Sequence, residues 1–428
     1  MSAEDLDGQP GLAEATRVWA RIGLLSFGGP AAQIALMHRE LVEERNWLSE
    51  NRFLNALSFC MLLPGPEAMQ LATYAGWRMH GTLGGLIAGL LFVLPGAFVM
   101  LALSALYVTL GQLPLIESLF LGIKAAVIVI VIEALLRVSR KALNRGDYWV
   151  IAGLAFVGIF VFALPYPLIV VAAAAYGFLT ARAGDQSSVE DNDLTHHGLW
   201  NTMRTICLWL AVWFLPLIAL QIFAPGSLLN PIGEFFSKLA VVTFGGAYAV
   251  LAYMGQDVVQ NSAWLTAGEM MDGLGLAETT PGPLILVTQF VGFLAAFKEG
   301  GFWLALAATG VTLWATFAPC FLWIFTGAPY IDWISNQPRL KGALSAITAA
   351  VVGVILNLSI WFALHVFFTS VRSWKFGWIQ TSAPDLATLD WRVVVLTVVS
   401  AIVLFRLHWG IAKLLLAMAG LALVLGQF

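Results

Sequence analysis

TLGGLIAGLLFVLPGAFVMLALSALYVTL occupies residues 82–110 and contains no Asp, Glu, Lys or Arg. At about 1.5 Å per residue a helix of this length reaches roughly 43 Å, more than the ~30 Å hydrocarbon core of a bilayer. A globular helix of this composition would have no polar face to offer water. Similar runs recur at 115–136, 148–164, 166–182, 204–223, 302–326, 341–368, 391–405 and 408–426. Of the 428 residues 60% are apolar and only 11% charged, where a soluble domain carries about 25% charged residues. The sequence therefore predicts an all-α, polytopic helical integral membrane protein with about 10–13 membrane segments. A soluble enzyme, a disordered tail protein and a secreted disulfide scaffold are disfavoured by composition alone.

The net charge of -3 is uninformative, because charge in a membrane protein matters by location. Cys60, Cys207 and Cys320 are isolated in apolar runs, suit neither a disulfide framework nor a metal site, and read as small core residues. The acidic start, MSAEDLDGQPGLAEATR, lacks a basic n-region and a cleavage site, so the first membrane segment is expected to be retained. No basic stripe points to nucleic acid. No catalytic set, nucleotide loop or metal spacing is visible, so neither an enzyme nor a cofactor is expected. His196 and His197 sit in an acidic stretch and read as solvated.

Four other apolar stretches, 16–38, 53–76, 233–255 and 270–297, carry Gly or Pro near their centres. They belong to a repeat. Ser-Phe-Gly-Gly-Pro at 26–30 matches Thr-Phe-Gly-Gly-Ala at 243–247, and Pro-Gly-Pro at 64–66 recurs at 281–283. One offset, 217, relates both pairs and also maps Arg21 to Lys238 and Trp47 to Trp264. After a short insertion an offset of 224 maps Pro95 to Pro319 and 123–127 to 347–351. The chain thus divides into a first half (1–182), a polar linker (183–203) and a second half (204–428).

Charge placement bears on orientation. Arg39, Arg45 and Arg52 follow the first Phe-Gly-Gly segment, whereas the equivalent 255–268 has no Lys or Arg. Only the Lys/Arg bias sets orientation, and it marks the cytoplasmic side. The equivalent loops should therefore face opposite sides, which makes the repeat inverted. Arg137, Arg140, Lys141 and Arg145 mark a further cytoplasmic loop, and Arg339 and Lys341 another; Arg372 and Lys375 fall outside in this scheme.

Pro removes a backbone donor and Gly adds backbone freedom. In hydrocarbon such breaks are tolerated only inside protein or beside a wet cavity. Discontinuous helices at matching positions of two halves are the best sequence pointer to a transporter's binding site. Pro66 and Pro283 suit the first turn of half-helices, whose free N–H groups and positive ends attract an anion. Gly28, Gly29, Gly245 and Gly246 would let backbone approach a ligand closely. Ser26, Gln33, Gln70, Thr73, Thr243, Thr279, Thr280 and Gln289 could donate hydrogen bonds. The opposing reading is that small residues only pack helices together.

Arg21 and Lys238, each six residues before its Phe, could compensate a dianion or could snorkel to the headgroups. Lys124 lies inside LFLGIKAAVIVIVIEALLR, with Glu133 nine residues on, and an intramembrane charge counts as functional by default. Its alternative is a structural pair with Glu117 or Glu67. Glu67 either caps its helix start or titrates as a coupling residue. Glu269 and Asp272 read as solvated loop charges, Trp47 and Trp264 as interface anchors.

In SFGGP (26–30), LLPGPEAMQLATYAGW (62–77), FGGAYAVL (244–251) and TTPGP (279–283) the sequence resembles the chromate ion transporter family. The resemblance implies two homologous halves in opposite orientation. It also implies export of chromate across the cytoplasmic (inner) membrane, tied to the proton or another ion gradient and conferring chromate resistance. Family motif residues fall on Gly28, Gly29, Pro30, Pro64, Gly65, Pro66, Gln70, Gly245, Gly246, Pro281, Gly282 and Pro283; Ala247 replaces the proline of the first half. The substrate site is expected to combine these with Arg21, Ser26, Lys238, Thr243 and Thr280, with Glu67, Lys124 and Glu133 as coupling or buried charges. A sulfate-like oxyanion exchanger and a non-transporting scaffold subunit are the alternatives. The partners expected are chromate, sulfate as a competitor, a coupling proton, lipid and a second copy in a homodimer.

Overall fold

The computed structural model describes residues 10–111, 113–181, 199–244, 247–335, 337–376 and 379–426. Gly245, Gly246, His196, His197 and most of the linker lie outside the described residues.

In chain order the α-helices are α1 (Leu12–Leu25), α2 (Gly29–His38), α3 (Glu50–Cys60), α4 (Glu67–Leu110), α5 (Pro114–Ala142), α6 (Gly146–Phe160), α7 (Tyr166–Thr180) and α8 (Leu199–Phe223). The second half continues with α9 (Leu229–Val242), α10 (Ala247–Gln256), α11 (Ala267–Thr279), α12 (Val287–Gly327), α13 (Ile331–Ser335), α14 (Pro338–Phe367), α15 (Trp391–Phe405) and α16 (Ile411–Leu425). One hairpin, β1 (Val371–Phe376) with β2 (Ile379–Pro384), joins α14 to α15. Among the described residues, five helical stretches are long and apolar enough to cross a membrane, and four shorter apolar helices accompany them. Large apolar side chains stand on the outer surface, among them Phe223 at 85%, Trp200 at 81% and Leu179 at 80% exposure. Such a surface suits lipid, not water.

All four interrupted stretches are broken at the expected places. The first runs as α1, a gap at 26–28 and α2; the second as α3, a gap through Pro66 and α4. The third runs as α9, a gap and α10; the fourth as α11, a gap at 280–283 and a single 3-10 turn, Leu284–Leu286, leading into α12. Pro66 stands one residue ahead of α4 and Pro283 one residue ahead of the 3-10 turn, extended at φ -69 and ψ 136. A single π-helical turn follows α2 at Arg39–Glu43 and α10 at Asp257–Asn261, one residue from the repeat register.

The two longest helices are not straight. α4 leaves helical geometry at His80 and Gly81, and α12 does so at Gly300 and Gly301 with nearly the same dihedrals. Gly89 lies against the Thr73 hydroxyl, and Gly292 against Thr312. In an unbroken helix those pairs would stand about 24 and 30 Å apart. Each long helix is therefore a hairpin of two helices. The arm before the first kink, Glu67–Met79, is about 20 Å long, too short to cross hydrocarbon alone.

The chain forms two compact units. One comprises Met1–Leu101, Ala181–Gly246 and Thr280–Lys341; the other comprises Ala102–Thr180, Ala247–Thr279 and Gly342–Phe428. Each draws on both sequence halves. In the first unit α12 packs on α9 and α8, and α3 on α13. In the second, α15, α16 and α11 pack around α5, whose buried face runs from Ala125 to Val131. Cys60 and Cys320 are core residues as expected, but Cys207 is exposed on α8, because that helix turns most of its surface outward.

Candidate functional site

Breaking a helix leaves its last carbonyls without partners. In the first unit the ends of α1 and α9 are each met by the Pro-Gly-Pro turn of the other half. The Gly65 N–H donates to the Thr243 carbonyl at 2.9 Å, and the Gly282 N–H donates to the Ser26 carbonyl at 2.8 Å. The two bonds are related by the repeat offset at both ends. They tie α9 to the turn before α4, and α1 to the turn before α12.

Glycine is required in both turns. Gly65 has φ +121 and Gly282 φ +88, values that side-chain-bearing residues rarely adopt. A Cβ at Gly65 would lie 2.8 Å from the Gln70 amide nitrogen and 2.9 Å from Cys320 Sγ. At Gly282 it would lie 3.2 Å from Leu286 and 3.6 Å from the Cα of Gly96. Cys320 and Gly96 are themselves repeat partners at the 224 offset. Gly28 and Gly29 also have positive φ, and Gly29 faces open space.

Buried amides complete the turns. Gln33 donates through Nε2 to the Gly282 carbonyl at 2.6 Å and to that of Ser26 at 3.2 Å. Gln70 donates to the Pro64 carbonyl at 2.7 Å, and Gln289 to the Ala97 carbonyl at 2.9 Å. The hydroxyls turn inward too. Ser26 donates to Ile22, Thr243 to Leu239, Thr73 to Met69 and Thr279 to Leu276. These side chains were expected to offer protons to a ligand. Here Gln33 and Gln70 bond carbonyls of the breaks, while the hydroxyls bond carbonyls of their own helices. The first N–H groups of a helix have no carbonyl of their own helix to bind; at the starts of α4 and of the turn at Leu284 they lie among buried residues, Ala68, Met69, Leu284 and Ile285. Pro64, Gly65, Thr280, Pro281, Gly282 and Pro283 are buried; Glu67 is half-buried in the first turn of α4.

Arg21 and Lys238 do not reach into the breaks. Arg21 Nε lies 3.5 Å from Glu40 Oε1, and its side chain is half exposed. Lys238 pairs with Glu234 one turn back on α9 at 2.6 Å, also exposed. Glu40, which sequence reasoning passed over, has no exposed surface and binds Arg45 as well. No local pattern marks it; it stands in the π turn at Arg39–Glu43 and is buried there.

The second unit holds the other charges. Lys124 Nζ of α5 lies 3.2 Å from Asp272 Oδ1 of α11, and the Tyr107 hydroxyl donates to Asp272 Oδ2 at 2.8 Å. Asp272 is only 4% exposed. Its reading as a solvated loop charge is therefore corrected: it lies within α11, facing α5. Glu269, by contrast, closes a capping box at the start of α11. Its carboxylate accepts from the Thr266 N–H at 2.8 Å, and the Thr266 hydroxyl accepts from the Glu269 N–H at 3.2 Å. Glu133 binds Arg137 one turn on. Glu278, at the end of α11, is buried and accepts from the Tyr248 hydroxyl at 2.8 Å. It too escaped notice, although an acid inside an apolar stretch is itself a signal.

The model of the chromate transporter family matches residues 13–178 and again 231–425. The chain belongs to the chromate transporter family. It is similar to a chromate transport protein of Pseudomonas aeruginosa, at 34% identity over 78% of this chain and 77% of that one. It is similar also to a probable chromate transport protein of Synechococcus elongatus, at 30% identity over 80% of this chain and 82% of that one. An uncharacterized transporter of Bacillus subtilis matches 36% of this chain with 89% of its own length, at 31% identity. No solved structure matches. This chain is a multi-pass membrane protein built around apolar helices.

Proposed function

We propose that the protein is a secondary transporter that exports chromate across the cytoplasmic membrane, binding the oxyanion at the broken helices of the first unit. The observation that carries the reading is the pair of crossed bonds, Gly65 to Thr243 and Gly282 to Ser26. They cover the carbonyl ends of α1 and α9 and bring the starts of α4 and of the turn before α12 beside them. Positive helix ends and free N–H groups favour an anion. The relatives named as chromate transport proteins supply the substrate class. The outward direction, the inner-membrane location, resistance and the link to an ion gradient come from the family resemblance.

Cells expressing the protein should retain less chromate than cells carrying an empty vector. Equal retention would end the export reading. A site made of backbone amides reads shape and charge rather than the central atom. Sulfate in equimolar amount should therefore slow chromate flux in proteoliposomes, and indifference to sulfate would require side-chain recognition.

Arg21 and Lys238 take part only if they exchange their carboxylate partners for the oxyanion. Arg21→Met and Lys238→Met should then each reduce chromate flux severalfold. Variants that transport as well as the parent would remove both from the site.

A further inference from the structure

We propose that Glu278, with Tyr248 as its positioning partner, is the proton-carrying carboxyl of the transport cycle. This rests on the proposed transport function and supplies its coupling residue. Glu278 is 8% exposed, and the hydroxyl of Tyr248 is its one hydrogen-bond donor among the described residues. No described Lys or Arg lies within ion-pair distance of it. Arg137, the cation whose field reaches it, is turned to Glu133 instead. Asp272 and Glu40, the other deeply buried acids, each hold a cation in contact. A buried carboxylate without such a partner is expensive to keep charged and cheap to protonate.

The surrounding groups are few. α10 contributes Tyr248, and α5 contributes Glu133 and Arg137. α16, which also packs on α11, carries Lys413 alone, and that side chain is exposed. Further along α11, Asp272 is engaged by Lys124 and Tyr107. Proton uptake changes one bond only. A proton from water adds to a carboxylate oxygen of Glu278, and the neutral acid becomes a donor where it had been an acceptor.

The cluster also breaks the repeat. The positions matching Glu278 and Tyr248 are Met61 and Ala31; those matching Glu133 and Arg137 are Asn357 and Trp361. The substrate turns come in two copies and this carboxyl in one. The chain is thus equipped to carry one proton per molecule at this place.

The test uses the full-length protein in proteoliposomes. Chromate-for-chromate exchange without a pH gradient reads substrate handling; net chromate flux under an imposed pH gradient reads coupling. Glu278→Gln should keep exchange within about twofold and lose the stimulation by the gradient, while Glu278→Asp should retain part of it. Tyr248→Phe should shift the pH at which stimulation is half-maximal. A Glu278→Gln protein still stimulated like the parent would overturn the proposal. Infrared spectra recorded across pH provide a readout that needs no chromate. The parent should show a protonated-carboxyl band that Glu278→Gln lacks. An unchanged band also overturns the proposal, whereas a parent that moves no chromate but shows the band refutes the transport reading alone.

Discussion

Lys124→Met is expected to destabilise the protein by about 3–5 kcal/mol, the usual effect of stripping one partner from a buried ion pair. The methionine fills the lysine's volume, so the loss comes from Asp272, which stays buried with only the Tyr107 hydroxyl beside it. Thermal unfolding in detergent should show a clear drop in the midpoint. The double variant Lys124→Met with Asp272→Asn should recover most of it, because no uncompensated charge remains. If the single variant unfolds at the parent temperature, the pair contributes nothing and Lys124 is free for another role. If the double variant is as unstable as the single one, packing rather than charge decides the effect.

Gly65→Ala should lower chromate flux at least tenfold while the protein still inserts in the membrane. The residue sits at φ +121, where a side chain costs about 1–3 kcal/mol in backbone strain. The new methyl would also press on Gln70 and Cys320, at 2.8 and 2.9 Å. Relief requires the turn to move, which breaks the bond to the Thr243 carbonyl. Gly282→Ala should be milder, because its nearest neighbour is the end of Leu286 at 3.2 Å. Flux assayed with equal amounts of inserted protein checks both. A Gly65→Ala protein moving chromate at the parent rate would show that the first Pro-Gly-Pro turn is not part of the pathway.

Helical membrane architecture and all four interruptions could be read from the sequence because their causes are local. Hydropathy, the missing N–H of proline and the freedom of glycine act within a few residues of where they stand. The repeat was legible for the same reason, since matching residues impose matching breaks. Pairings between distant segments were not. Sequence spacing offers Lys124 the partners Glu117 and Glu67, yet it meets Asp272, 148 positions along the chain. Ser26 and Thr243 looked like donors to a ligand, yet each spends its hydroxyl proton on its own helix and lends its carbonyl to the opposite half. Which acid faces which base, and which broken end covers which, depends on how helices pack. In a low-dielectric interior every polar group must find a partner, and only the assembled fold determines which one is within reach.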